Sequence, residues 1–357
     1  MALINLKKNL DLNNNEAFVI FSPVNITYLS HFNGHAATVL ITKNNSYLIT
    51  DYRYFEQAKS QALDFEVICR DRTSQSLGQL LNQLLMQNSI NCLYFEADHI
   101  SYSLWHGLLK DMSITDVQPK SRMIEDLRYL KTETEIHNIK KAASIADQAL
   151  ENTLLLVKEN VTEHELATEL EYQMKMLGSE EMSFQTILVF AERSALPHGI
   201  PSHRKLKNGD LILIDFGAVH KGYRSDMTRT YVFGKASKQQ KDIHNLVAQA
   251  QQAAIDAIEI GVTGEHLYQQ SEKILLSSPY AQYMGEGLGH GVGLDLHEFP
   301  FMGKGCHLTI QKGCVITIEP GIYIPDWGGV RIEDDVAVTK DGIRILNKSP
   351  KNLIEIS

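Results

Sequence analysis

The 357-residue sequence contains no run of 18 or more apolar residues, which excludes an ordinary membrane-spanning helix. Its opening stretch, MALINLKKNLDLNNN, lacks the apolar centre of a secretory signal, so the expectation is a cytoplasmic protein. Cysteine is scarce. Cys69, Cys92, Cys306 and Cys314 have no C-x-x-C spacing, and their scatter suits reduced packing residues better than a disulfide framework. Positive charge is in short supply: 34 Lys+Arg face 43 Asp+Glu, a formal net charge of −9, and no basic cluster is present. Nucleic acid and anionic membranes both need a positive patch that releases counterions, so neither is expected as a partner. The glycines at 285–293 fail the G-x-G-x-x-G spacing, because Gly287-x-Gly289 leads to Val292 and Gly289-x-Gly291 to Leu294. There is also no Walker A run, no G-x-S-x-G elbow and no fixed-period repeat.

What is present is a globular composition, 43% hydrophobic and 22% charged, long enough for about two domains. Residues 1–122 alternate apolar stretches such as AFVIFS, ATVLIT and CLYFEAD with the helical spacing of SLGQLLNQLLMQ, the texture of a small α/β domain. The second domain, 123–357, opens with helices. Thr132 to Glu135 fits a capping box, with Ile136, Ile139, Ala143, Ala146 and Leu150 forming one apolar stripe behind it. Thr162 to Glu165 fits another, and Gly178 can end that helix. From Leu211 the chain turns β-rich. LILIDFGAV and MTRTYVF read as strands of a hairpin turning near Gly222, residues 242–275 return to helix broken at Gly261, and the remainder is β-rich again.

Within these strands, acids stand where apolar neighbours predict burial. Asp215 ends Leu211-Ile212-Leu213-Ile214, Glu319 follows Val315-Ile316-Thr317-Ile318, and Glu333 closes Val330-Arg331-Ile332. An ionised carboxylate costs several kcal/mol to desolvate, so each must be protonated, paired or bound to metal. Three in one β-rich domain favour metal. A turn near Gly222 brings Asp226 beside Asp215, and His290 adds a nitrogen between Gly289 and Gly291, whose missing side chains allow close approach to an ion. Four carboxylates with eight oxygens and one imidazole are too much negative charge for one divalent ion. They suit two ions, roughly 3.5–4 Å apart and sharing a water or hydroxide, as in dinuclear hydrolases. Oxygen-rich ligation leans toward Mn²⁺, with Co²⁺ and Zn²⁺ compatible.

The ordered set Asp215, Asp226, His290, Glu319 and Glu333 is embedded in DFGAVHKGYRSDMTRTYVFG, GLGHGVGLDLHEFP, ITIEPGIYI and GGVRIEDDVAV. It resembles the metallopeptidase family that contains aminopeptidase P, prolidase and methionine aminopeptidase. Residues 123–357 carry the resemblance, and Thr50-Asp51-Tyr52-Arg53-Tyr54 extends it to a creatinase-like N-terminal domain. The resemblance implies an α/β (α+β) chain whose C-terminal domain is a "pita-bread" fold with two metals, a homodimer, and cleavage beside proline.

The same resemblance assigns further residues. His198 would lie over the bound substrate, His297 would contact the scissile peptide, and Arg331 would fix a ligating carboxylate. Glu319 would also take a proton from the attacking water, and Phe184 with Ile187 matches the apolar wall that receives a proline ring. The implied enzyme is a dinuclear Xaa-Pro peptidase acting on a small peptide with proline at its second position. It is either a dipeptidase or an aminopeptidase on longer peptides. A Lys, Lys304, stands after His-Glu-Phe-Pro where prolidases commonly place an arginine for the dipeptide's carboxylate. A rival of another class, a non-catalytic binding protein on the same fold, would be marked by lost ligands, and all five are present.

Overall fold

The structure is a computed structural model describing residues 2–357. The chain forms two compact units, one ending at Arg128 and one running from Tyr129 to Ser357.

The first unit is built on one mixed six-stranded sheet. In spatial order its strands are Glu66–Cys69, Ser46–Thr50, Thr38–Thr42, Glu16–Ile20, Cys92–Glu96 and Asp116–Lys120. Thr38–Thr42 pairs antiparallel both with Glu16–Ile20 and with Ser46–Thr50, to which the short turn around Asn44 joins it. The other pairs are parallel, and the helices Phe55–Gln61 and Tyr102–Leu109 carry the chain back between the outer ones. Alternation along Glu16–Ile20 divides the core in two: Phe18 and Ile20 pack with Leu6, Ile26 and Phe32, while Ala17 and Val19 pack with Leu81, Leu84 and Leu93. Asp51 is buried and accepts from the Arg53 guanidinium, which holds its carboxyl down to about 2. Cys69, expected to pack, is exposed, since it ends an edge strand.

The second unit starts with two helices, Glu133–Leu154 and Glu163–Met176, each opened by a complete capping box at Thr132 and Thr162. Gly178 follows the second at φ 96°, a left-handed conformation that a side chain would resist. The second helix and the end of the first, Ala146 to Leu150, pack on a four-stranded sheet ordered Glu355–Ile356, Met227–Phe233, Leu211–Phe216, Ile187–Phe190, while Ile136, Ile139 and Ala143 pack with Val315 and Ala337. Ile212, Ile214 and Phe216 meet those helices, so the intervening Leu213 and Asp215 point to the opposite face. The helical stretch around Gly261 divides into Lys238–Asp256 and Gly264–Leu276, with Gly261 at φ 100° between them.

A five-stranded sheet follows, ordered Glu298–Met302, Gly289–Gly291, Val315–Ile318, Asp334–Thr339, Gly342–Ile345. GGVRIEDDVAVT is not one strand. Gly328–Arg331 pairs with Gly321–Ile324, whereas Asp334–Thr339 pairs with Val315–Ile318, and the chain changes partner at Ile332-Glu333. Glu333 therefore sits at a junction, where its own N–H donates to the Thr228 carbonyl of the other sheet. Among the described residues no helix is long and apolar enough to cross a membrane.

Candidate metal centre

Asp215 reaches the site through strand pairing. In the antiparallel registers it lies opposite Thr228 on one side and Ile187 on the other, so these three side chains form a row on the face turned away from the helices. Asp226 does not face Asp215 across the ladder. Phe216 pairs with Met227, and Asp226 stands one residue beyond the ladder's end, past the small Val219–His220 and Tyr223–Arg224 hairpin. Its backbone N–H donates to the buried Asp335 carboxylate at 3.0 Å.

His290 and Glu319 come from the five-stranded sheet. The His290 N–H donates to Thr317 Oγ1, and its Nδ1 lies 3.0 Å from the Gly291 carbonyl. With the Nδ1 proton on that carbonyl, Nε2 offers its lone pair to the acids, 3.4 Å from Glu319 and 3.7 Å from Asp226. Gly289 and Gly291 serve strand packing rather than approach to an ion. A Cβ on Gly289 would meet the Thr317 carbonyl at 2.2 Å, and one on Gly291 the Phe299 carbonyl at 2.3 Å.

All ten residues singled out in the sequence line one cavity of about 700 Å³: Phe184, Ile187, His198, Asp215, Asp226, His290, His297, Glu319, Arg331 and Glu333. Asp215, Asp226, His290, Arg331 and Glu333 are buried, Glu319 and Phe184 half-buried, and His198 and His297 exposed to the opening. The His290 and His297 rings meet edge to face, 4.4 Å between centroids. Burial, then the neighbouring His290 and His198, lowers the His297 pKa and keeps it neutral at neutral pH.

Three further side chains support the site. Thr228 donates to Glu333 at 2.6 Å and accepts from Arg331 Nε at 3.0 Å. Arg331 also donates to Asp215, to the Pro197 carbonyl and to the Tyr323 hydroxyl, the last at 2.6 Å. Tyr323 thus belongs to the cavity wall. The signal lay in its alternation with core-facing Ile322, on the face of Gly321, which pairs with Arg331. Asp335 is the third, beneath Asp226.

A divalent cation fits this donor set. Ligand atoms of Asp226, His290 and Glu333 all lie within 4.8 Å of one another. Asp215 Oδ1 and Asp226 Oδ1 are buried with no hydrogen-bond partner, an arrangement that strands two lone pairs unless a cation takes them. The other acid and histidine cluster, Glu96, His99 and Glu125, differs in this respect. Glu96 already accepts from the Phe21 and Ser22 N–H groups and from Asn25, and Glu125 from Asn25 and His99.

Without cations these acids repel. Burial pushes the Glu319 carboxyl up to about 7, with Arg331 opposing and Asp215 assisting, and burial followed by Glu333 raises Asp226. An acid whose pKa is higher folded than unfolded favours the fold at low pH, and that contribution is lost as pH rises from the unfolded value toward the folded one. Cations replace the protons. The gap between the urea midpoints of metal-loaded and chelated protein is therefore expected to widen as pH rises from 4.5 to about 7; a gap that stays constant or narrows contradicts this account.

Residues 137–340 match the model of metallopeptidase family M24, and residues 3–130 that of the creatinase/prolidase N-terminal domain. An Xaa-Pro dipeptidase of Pyrococcus horikoshii is 36% identical over 347 residues, 97% of this chain and 96% of that protein. Among solved structures, an Xaa-Pro dipeptidase from Bacillus anthracis superposes with a TM-score of 0.94 at 36% identity, covering 99% of this chain and 98% of that one. An X-Pro aminopeptidase from Thermotoga maritima does so with a TM-score of 0.90 at 33% identity, covering 98% and 100%.

Proposed function

Since the chain belongs to metallopeptidase family M24, with the pita-bread fold of its solved relatives, we propose that it is an Xaa-Pro dipeptidase that hydrolyses the bond between an N-terminal residue and proline. The observation that carries this reading is the cluster of four carboxylates and one imidazole, two of its buried oxygens unpartnered, at the floor of a cavity. Asp215, Asp226, His290, Glu319 and Glu333 would hold two divalent ions, with Mn²⁺ favoured by the hard oxygen donors. Such ions supply Lewis acidity toward the scissile carbonyl and make water a nucleophile at neutral pH.

The chain's own groups do the rest. Glu319 would accept the proton of the attacking water on a carboxylate oxygen and pass it to the leaving proline nitrogen, a role its place in the cavity beside His290 and Asp226 suits. His297 and His198, at the cavity opening, would donate to the oxygen that gains charge as the carbonyl becomes tetrahedral. Arg331 would orient Asp215 through a charge-assisted hydrogen bond. Phe184 and Ile187, which pack with Val189 and Leu213, offer the pyrrolidine ring an apolar wall. The homodimer implied by the resemblance, and the cytoplasmic location expected from the opening stretch of the sequence, belong to the same proposal.

A second reading, an aminopeptidase acting on longer peptides, is favoured by one feature. The cation at the cavity edge is exposed Lys304, a point charge and not the planar fork of an arginine. With Mn²⁺-loaded protein, Ala-Pro is expected to turn over faster than an Ala-Pro peptide with a blocked C-terminus. Lys304→Gln is expected to raise KM for Ala-Pro by about fivefold at most, the scale of an exposed ion pair, and to leave the blocked peptide unchanged. Faster cleavage of the longer peptide, indifferent to Lys304, decides for the aminopeptidase.

A further inference from the structure

Between the strand Ile187–Phe190 and Ser202 the chain makes an excursion whose apex, Pro197 to Ile200, lines the cavity and carries His198. Little holds that apex from within. Leu196 is 48% and Ile200 61% exposed, so its apolar side chains are only partly covered, and the Arg331 donation to the Pro197 carbonyl reaches the apex from outside the loop. The excursion leaves and returns at one point, where one side chain bonds both of its ends, while the His164 N–H donates to the Ser202 carbonyl at the returning end alone. Glu163, in the first turn of Glu163–Met176, is fully buried. Its Oε1 accepts from the Phe190 N–H at 2.8 Å. Its Oε2 accepts from the Ser202 N–H at 2.8 Å and the Ser202 hydroxyl at 2.6 Å. Arg193 Nε lies 2.9 Å from Oε2, and Arg193 Nη2 reaches on to the Ile200 carbonyl at 2.7 Å.

We propose that Glu163 is a positioning residue for the reaction: its carboxylate pins both ends of loop 191–202 and thereby fixes His198 over the cavity. Glu163 itself lines neither the cavity nor the ligand set. A buried carboxylate is retained only if its lone pairs are filled, and here the donors come from both ends of the loop, so charge satisfaction and loop closure are one requirement. Arg193 carries the constraint from base to apex. Glutamine at 163 would turn an NH₂ group toward donors that need an acceptor, opening one side of the closure without changing side-chain size.

The inference rests on the peptidase reading, and its test separates the two. In Mn²⁺-loaded Glu163→Gln, kcat for Ala-Pro is expected to fall roughly 10- to 100-fold, the scale of a small misplacement of a catalytic group, at wild-type metal content. In a His198→Ala background the same substitution should cost less than about threefold, because the group it positions is already gone. Arg193→Gln, which cuts the tie to the apex and leaves three donors on Glu163, is carried through the same cycle and decides the matter should Glu163→Gln not fold. Amide hydrogen exchange is read in parallel, and residues 195–200 are expected to exchange faster in both variants. Equal losses with and without His198, or unaltered exchange in that segment, overturn the proposal. Wild-type protein that cleaves no Xaa-Pro substrate removes the peptidase reading alone, since exchange still reports on the closure.

Discussion

Glu319→Ala protein is expected to lose Xaa-Pro hydrolysis by at least about a thousandfold, since a positioned proton acceptor alone contributes typically 10²–10⁴-fold. Its metal content is expected to fall with its activity. Glu319 has two assignments that one truncation removes together. Its carboxylate faces His290 Nε2 at 3.4 Å among the candidate ligands, and it lines the cavity where the attacking water would sit. Glu319→Gln separates these functions by keeping a carbonyl oxygen while removing the basic group, so it should retain more metal than alanine with little more activity. The backbone should survive either change. The Glu319 N–H donates to the Leu288 carbonyl whatever side chain follows, and the side chain is 26% exposed, so neither variant opens a large internal void. Metal analysis with steady-state kinetics reads both effects, and a fully active, metal-replete Glu319→Ala protein would sink the mechanism.

Arg229→Met is expected to destabilise the catalytic unit by about 3–5 kcal/mol, the usual cost of removing one member of a buried ion pair. Arg229 is 2% exposed and distributes its guanidinium between Asp334 at 2.7 Å, the Ser349 carbonyl at 2.8 Å, and the Thr228 and Glu333 carbonyls. Methionine fills much of the volume but leaves Asp334 with only Gln251 and Lys351 as donors and leaves the Glu333 carbonyl without that bond. Because Glu333 is a candidate ligand and Thr228 its hydrogen-bond partner, metal affinity should weaken as well. Urea unfolding at saturating and at chelated metal measures the two effects separately. An unchanged midpoint in both conditions would mean that the buried pair is replaceable by a hydrophobic contact.

The candidate site was legible where chemistry contradicts its surroundings. Asp215 after four aliphatic residues and Glu319 after Val-Ile-Thr-Ile are out of place unless bound, and no register is needed to notice them. Thr228, Tyr323 and Asp335 gave no such sign, because a polar residue in alternation is the ordinary solvent side of a strand, and only pairing reveals which face looks inward. Glu163 was hidden differently. An acid in the first turn of a helix already has a local reason to be there, so its contact with Ser202 could not be read from sequence spacing. The helices were legible from their capping boxes and stripes. The mixture of parallel and antiparallel pairs in the N-terminal sheet was not, since strand texture carries no direction.

Asp215 and Asp226 stand on or beside the four-stranded sheet and His290 and Glu319 on the five-stranded one, with Glu333 where the chain passes between ladders. Cations shared among them would act as a removable staple between two sheets. Anything that binds only the folded state stabilises it by mass action, by about 2.7 kcal/mol at a hundredfold excess over Kd. Metal shortage would then register as faster proteolytic turnover of the polypeptide as well as lost catalysis, and the amount of this enzyme would itself follow the supply of its ion.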